Sequence, residues 1–232
     1  MSDVFLSVVL PCRNQEDHIE DVLKSYAGPL ERTGWSYELV VVPNACSDRT
    51  AQILQSVSES DPRICVLENP RGGWGLSVLT GLAAARGSML CYTNSARTDP
   101  EHVVAVVELC LKSGPCLAKA RREKREAPLR EAGSWLYNIE GRLLFGIRAR
   151  DVNGTPKVFS RELFRDLRLF SEGDLLDLEL MAKVSRLDVP IVELPVRGFG
   201  RHGGRSSTNL KTAWALYTGA FRLRRKLADA AS

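Results

Sequence analysis

Four short apolar runs, each followed by a polar turn and then by a stretch at helical spacing, restrict what this chain can fold into. The runs are Phe5 to Leu10, Leu39 to Val42, Ile64 to Leu67 and Met89 to Tyr92. Between them come a helix from about Glu16 with Ile19, Val22, Leu23 and Tyr26 on one face, and a second with Ala51, Ile53, Leu54 and Val57. A third carries Val78, Leu79, Leu82 and Ala85. The second begins at a cap, Ser47 or Asp48. A β-α-β-α-β-α-β succession of this period is the pattern of a doubly wound, mostly parallel sheet. In such sheets ligands bind where the strands end. The chemistry is therefore sought in the turns: Pro11-Cys12-Arg13-Asn14, Pro43-Asn44-Ala45-Cys46, the glycine-rich stretch from Asn69 to Gly75, and Thr93 to Pro100.

Breakers set the expected ends. Gly28-Pro29 stops the first helix and Gly87 the third. Further on, Glu101 to Leu111 reads as a helix and Leu117 to Ala120 as a strand, followed by a basic run with Arg121, Arg122, Lys124, Arg125 and Arg130. Leu129 to Phe145 is a long helix, Val152 to Phe159 loop and strand, Asp174 to Ser185 a helix, and Pro190 to Val196 a last strand. A Gly-, Arg- and Ser-rich stretch leads to a closing helix, Leu210 to Leu227, with Leu210, Trp214, Tyr217 and Phe221 on one face and a basic end. The division expected is one α/β domain over residues 1–207 and a basic amphipathic helix and tail over 208–232.

The net charge of +4 gives no case for a nucleic-acid partner. Six cysteines without Cys-x-x-Cys spacing and three histidines without a cluster argue against zinc and for free buried thiols in a reducing compartment. The N-terminal residues lack a basic n-region, and no apolar run reaches transmembrane length, so a cytoplasmic protein is expected.

Seven segments taken in order, SVVLPCRNQED, ELVVVPNACSDRT, NPRGGWGLSVLTGLAAARG, REAGSWLYN, DVNGTPKVFSRELF, LLDLELMAKV and VELPVRGFGRHGGRSS, resemble the family 2 glycosyltransferases of GT-A fold. Within them they are similar to the polyprenyl-phosphate sugar synthases. The resemblance runs from Ser7 to about Ser207. It implies inverting transfer of a sugar from a UDP- or GDP-linked donor to a polyprenyl phosphate, with a soluble hydroxyl acceptor or a degenerate binding protein as alternatives.

The resemblance also assigns residues. Pro11, Cys12, Arg13, Asn14 and Glu16 would lie at the base, with Asn44 and Ala45 at base and ribose, although the family usually has acids at 43 and 44. Asp48 and Thr50 keep their places and equally serve as helix caps. Gly72 and Gly73, with Gly75, would let backbone approach the donor, and Trp74 would stack or pack. Where the family has an Asp-x-Asp that holds a divalent metal, Mg²⁺ or Mn²⁺, this chain has Thr93-Asn94-Ser95. Hydroxyl and amide oxygens are weak, neutral ligands, and the nearest carboxylate, Asp99, reads as a cap, so a metal would have only Ser95 and Asp99. Charge on the leaving diphosphate would then fall to Arg97, Lys157, Arg201 and Arg205. Asp177 and Glu179 match the acidic pair on the acceptor side. Arg121, Arg130 and Ser134 match positions that grip a lipid phosphate, and the basic last helix could lie on the inner face of a membrane or pack on the domain.

Overall fold

The computed structural model describes residues 3–123, 128–197 and 210–229. Their order is β1 (Leu6–Cys12), α1 (Ile19–Arg32), β2 (Tyr37–Pro43), α2 (Thr50–Ser60), β3 (Ile64–Val66), α3 (Trp74–Ala84), β4 (Met89–Tyr92) and α4 (Pro100–Ser113). Then come β5 (Leu117–Arg122), α5 (Pro128–Phe145), β6 (Lys157–Ser160), α6 (Arg161–Leu167), α7 (Leu176–Arg186), β7 (Ile191–Val196) and α8 (Leu210–Asp229). The strands form one seven-stranded sheet in the order β3-β2-β1-β4-β6-β5-β7. All pairings are parallel except those of β6, which runs antiparallel to both β4 and β5.

Alternation along the strands sends apolar side chains to two cores. Val8, Leu10, Leu39 and Val41 face α1, α2 and α4, whose Leu23, Leu54 and Val103 complete one cluster. Val9, Val40, Val42 and Phe159 face the other side, where Val78, Leu82, Leu178 and Leu223 of α3, α7 and α8 meet them. Burying each such side chain contributes about 1.5–3 kcal/mol, enough to override local breakers.

Pro29 shows that override. It lies inside α1 instead of ending it. Tyr26 and Leu30, one turn apart and both fully buried, keep the helix going. The chain leaves helical geometry only at Gly34, with φ 71°. Gly87 likewise is no cap. A Cβ there would stand 2.6 Å from the Ser7 backbone nitrogen, so the glycine lets the chain press against β1. Helix α6 was not expected; it starts at Ser160, whose side chain accepts from the Leu163 N–H.

The direction of β6 matters most for function. Because it is antiparallel, its first residue, Lys157, pairs with Tyr92 at the carboxyl end of β4. It therefore arrives at the same edge of the sheet as the turns that follow β1, β2 and β4.

Candidate active site

Strand order reverses between β1 and β4, with β2 on the far side of β1. This is the crevice where doubly wound sheets hold ligands. The turn after β1 is tied to the turn after β2. Asn14 takes a left-handed φ of 50°. Its Oδ1 accepts from the Ser47 N–H at 2.9 Å, and the Glu16 N–H donates to Asp48 Oδ2 at 3.2 Å. Asp48 Oδ1 also accepts from the Thr50 N–H at 3.0 Å and the Thr50 hydroxyl at 2.6 Å, closing a turn just ahead of α2. Those bonds hold its carboxyl below the ordinary range although desolvation, the largest single influence, pulls the other way.

Ala45 adopts φ 47°, and its N–H donates to Asn69 O at 2.9 Å while Asn69 N–H donates to Pro43 O at 2.9 Å. The two turns thus become one rigid wall. Cys12 sits beneath it, 2% exposed, with burial pushing its thiol far up and out of reactivity. Arg13, Asn14 and Glu16 are exposed on the wall, and Asn44 is half-buried. Among the described residues the Asn44 Oδ1 is buried with no partner, an acceptor left open at the end of β2.

The glycine stretch makes a close backbone approach, but to the chain itself. A Cβ on Gly75 would lie 2.1 Å from Ser171 O and 2.6 Å from Gly173 O, and one on Gly73 would lie 2.8 Å from Glu172 O. The Leu76 N–H donates to Glu172 O at 2.7 Å. Gly73 and Gly75 therefore dock α3 onto residues 171–173. Gly72, at φ 73°, is left beside Ala45 on the crevice side.

That docking brings α3, β4, β6 and α7 to one point. Asp177, 6% exposed in the first turn of α7, accepts from Tyr92 Oη–H at 2.7 Å, from Trp74 Nε1–H at 3.2 Å and from Lys157 Nζ. Lys157 is fully buried, its ammonium 5.4 Å from the Tyr92 ring centroid. Burial first, and Asp177 second, drive the Tyr92 phenol well above its ordinary range, so it stays a donor. A carboxylate offers about four acceptor positions, of which three are filled here. Trp74 packs edge-on to Tyr92 at 6.4 Å and is fixed at its indole nitrogen.

Glu179 is placed elsewhere. It is fully buried, and its oxygens accept from the Phe170 and Ser171 N–H groups, at 2.7 Å for the latter, and pair with Lys183 at 2.7 Å. These contacts pin the 170–171 backbone and occupy the Glu179 carboxylate within the fold.

At the end of β4 the hydroxyls and amide face inward. Thr93 Oγ1 pairs with Thr98 Oγ1 at 2.5 Å, and Asn94 Oδ1 accepts from the Ala96 N–H at 3.0 Å. Ser95, 1% exposed, donates to Pro11 O at 3.0 Å and accepts from Gln15 Nε2–H at 3.0 Å. Asp99 caps α4 by accepting from the Glu101 N–H at 3.0 Å. Ser95 and Asp99 are thus occupied in holding the fold and do not meet at a common ligand point. Among the described residues no group of three or more His, Cys, Asp or Glu could hold a metal ion. Thr93, Asn94 and Ser95 offer hydroxyl and amide oxygens, weaker ligands for Mg²⁺ or Mn²⁺ than carboxylates. Arg97 is exposed nearby.

Arg121 is half-buried at the end of β5 and Ser134 half-buried on α5. Arg201 and Arg205 lie outside the described residues, as does the side chain of Arg130. A charge network that went unforeseen underlies this edge. Arg122 binds Asp151 with two bonds of 2.9 Å. The fully buried Lys119 reaches Ala120 O at 2.9 Å, Asp151 O and Glu193 Oε1. Burial, helped by Lys157, brings the Lys119 ammonium down to about 8. Its sequence signal was a lysine inside an apolar strand.

The chain matches the model of a family described as glycosyl transferase family 2 over residues 7–168. Among curated proteins it is 24% identical over 161 residues to undecaprenyl-phosphate 4-deoxy-4-formamido-L-arabinose transferase of Pseudomonas aeruginosa, covering 68% of this chain and 48% of that one. It is 30% identical over 210 residues to glycosyltransferase AglD of Haloferax volcanii, covering 83% of this chain and 33% of that one. The chain thus spans about half, or less, of the length of these relatives. Among solved structures it resembles glucosyl-3-phosphoglycerate synthase from Mycobacterium tuberculosis in complex with Mn²⁺, UDP and phosphoglyceric acid. There the TM-score is 0.70 at 21% identity, with 95% of this chain and 77% of that one covered. The same enzyme with UDP-glucose and glycerol 3-phosphate gives 0.69 at 22%, with 95% and 78% covered. At that identity the likeness speaks for the fold.

Proposed function

From the premise that the chain belongs to glycosyl transferase family 2, we propose that it transfers a sugar from a nucleoside-diphosphate donor to an acceptor bearing a phosphate or carboxylate group. The observation that carries the reading is the crevice at the β1/β4 reversal, walled by the tied turns after β1 and β2 and opening beside Arg97. The base would lie along the exposed Arg13 and Asn14. The acceptor oxygen attacks the anomeric carbon from the face opposite the leaving group, with inversion. The bond from that carbon to the β-phosphate oxygen breaks, and the diphosphate leaves with the electron pair. Arg97 and Arg13, exposed at this edge, would meet that charge. The acceptor's proton, if it carries one, passes to solvent or to the remaining acceptor position of Asp177.

A soluble acceptor is the leading reading, in place of the polyprenyl phosphate expected from the sequence. The solved structures of similar fold carry phosphoglyceric acid or glycerol 3-phosphate. Polyprenyl phosphate is the second reading, supported by the name of the Pseudomonas relative. The test incubates the protein with UDP-, GDP- and dTDP-sugars, first alone, then with phosphoglyceric acid, then with undecaprenyl phosphate in detergent. Nucleoside diphosphate release that an acceptor accelerates supports transfer, and the accelerating acceptor chooses between the readings. No release with any donor or acceptor sinks the proposal.

A further inference from the structure

Helix α5 presents an apolar face that nothing among the described residues covers. Trp135 is 65% exposed, Leu136 51% and Leu143 78%. With the half-buried Ile139 they fall at i, i+1, i+4 and i+8, a stripe about 100° wide, which is the width a helix ordinarily buries. The opposite side of α5 is already used. Tyr137 is buried against Tyr217 of α8 with ring centroids 5.9 Å apart, and Tyr217 Oη–H donates to Gly133 O at 2.5 Å. One turn beyond Tyr217, Phe221 is 61% exposed, so the paired helices carry large apolar side chains outward together. Scattered exposed leucines are ordinary, but a contiguous stripe with a tryptophan in it marks an interaction surface.

Charge says what covers it. Helix α8 holds five Lys or Arg and one Asp, a net of +4, as large as that of the whole chain, while α5 is balanced, with two Arg and two Glu. Arg142 lies on the apolar stripe itself, seven residues from Trp135, and is exposed, as are Arg222, Arg224 and Arg225 beside Phe221. A protein partner's apolar core would have to bury the Arg142 charge. A bilayer surface would not, because the guanidinium stays at the phosphates while its stem and the tryptophan ring sit at the acyl boundary.

We propose that the exposed faces of α5 and α8 form a peripheral docking surface for anionic lipid headgroups, with Trp135, Leu136, Leu143 and Phe221 entering the interface. The inference rests on this surface alone and not on the transfer reaction. No helix among the described residues is long and apolar enough to cross a membrane, so the contact is one of lying on the bilayer.

The test is co-sedimentation of the full chain at low salt with phosphatidylcholine vesicles and with vesicles in which roughly a third of the lipid is phosphatidylglycerol. Binding is expected with the anionic vesicles, weak with the neutral ones, and reduced about tenfold or more by W135S/L143S. R222Q/R225Q is expected to weaken the preference for anionic lipid and its salt sensitivity while leaving the apolar contribution in place. All four side chains are exposed, and circular dichroism with a thermal melt checks that the variants fold. Absence of binding to anionic vesicles overturns the proposal, as does unchanged binding by folded W135S/L143S. A concentration-dependent dimer in light scattering that W135S/L143S abolishes also overturns it, by assigning the face to a second copy of the chain.

Discussion

Replacing Lys157 by methionine isolates the interaction on which the geometry of the crevice depends. The ammonium is fully buried and meets Asp177, itself 6% exposed. Methionine keeps the length and much of the volume but leaves the carboxylate with only Tyr92 Oη–H and Trp74 Nε1–H as donors. Removing one partner of a buried pair strands the other charge, at a cost of about 3–5 kcal/mol. For a chain of this size each kcal/mol moves the melting temperature by about 2–4 °C, so the melt should fall by about 6–20 °C. Asp177→Asn alone should cost a similar amount by stranding the ammonium. The double variant, with neither charge, should be more stable than the sum of the two losses by about 2 kcal/mol or more. Chemical denaturation of the four proteins under one buffer supplies the cycle. A folded Lys157→Met that melts within 2 °C of the parent, or strictly additive losses, would refute the reasoning that this pair is desolvated and mutually dependent.

Two further outcomes follow from the same edge. Gly75→Ala places a methyl 2.1 Å from Ser171 O and must push residues 171–173 away from α3. A loss of about 2–3 kcal/mol is expected in denaturant unfolding, and stability unchanged within 0.5 kcal/mol would show that the loop gives way freely. Lys119 is lowered from 10.5 to about 8 in the fold, so between those values the unfolded chain binds more protons. Stability from this group therefore rises with pH across about 8 to 10.5, and below 8 it contributes no slope. Relative to Lys119→Met, the parent should gain on the order of 1 kcal/mol or more between pH 8 and pH 10, and a parallel pair of profiles would contradict it.

Much of the architecture was legible because burial on both faces writes itself into a strand as a continuous apolar run. Val40 to Val42 and Leu90 to Tyr92 are fully buried as their composition implied. Direction was not legible, since an apolar strand reads the same whichever way it runs, and β6 was the antiparallel exception. Local breakers misled where packing outweighed them, as at Pro29 between the buried Tyr26 and Leu30. At the crevice, the turns after β1 and β2 could be found as ends of strands. The convergence on Asp177 could not, because Trp74 lies 103 residues away and is brought there by sheet order. The glycines were expected to let backbone approach the donor, but sequence does not say what comes close, and what Gly73 and Gly75 meet in the fold is residues 171–173. The family resemblance matched Glu179 to an acceptor-side acid, and its neighbours are two backbone N–H groups and Lys183, contacts that no local pattern announces.

The most direct test of the central claim is calorimetric titration of the protein with UDP, GDP and dTDP, each in Mn²⁺ and each in EDTA. If the crevice between β1 and β4 is a nucleotide site whose described oxygens are weak ligands for a divalent ion, one nucleotide binds at one site per chain and its affinity survives EDTA. Binding that appears only with Mn²⁺ would contradict the conclusion that Thr93, Asn94 and Ser95 spend their polar groups on internal hydrogen bonds. Absence of binding by any nucleotide under either condition would contradict the donor site itself.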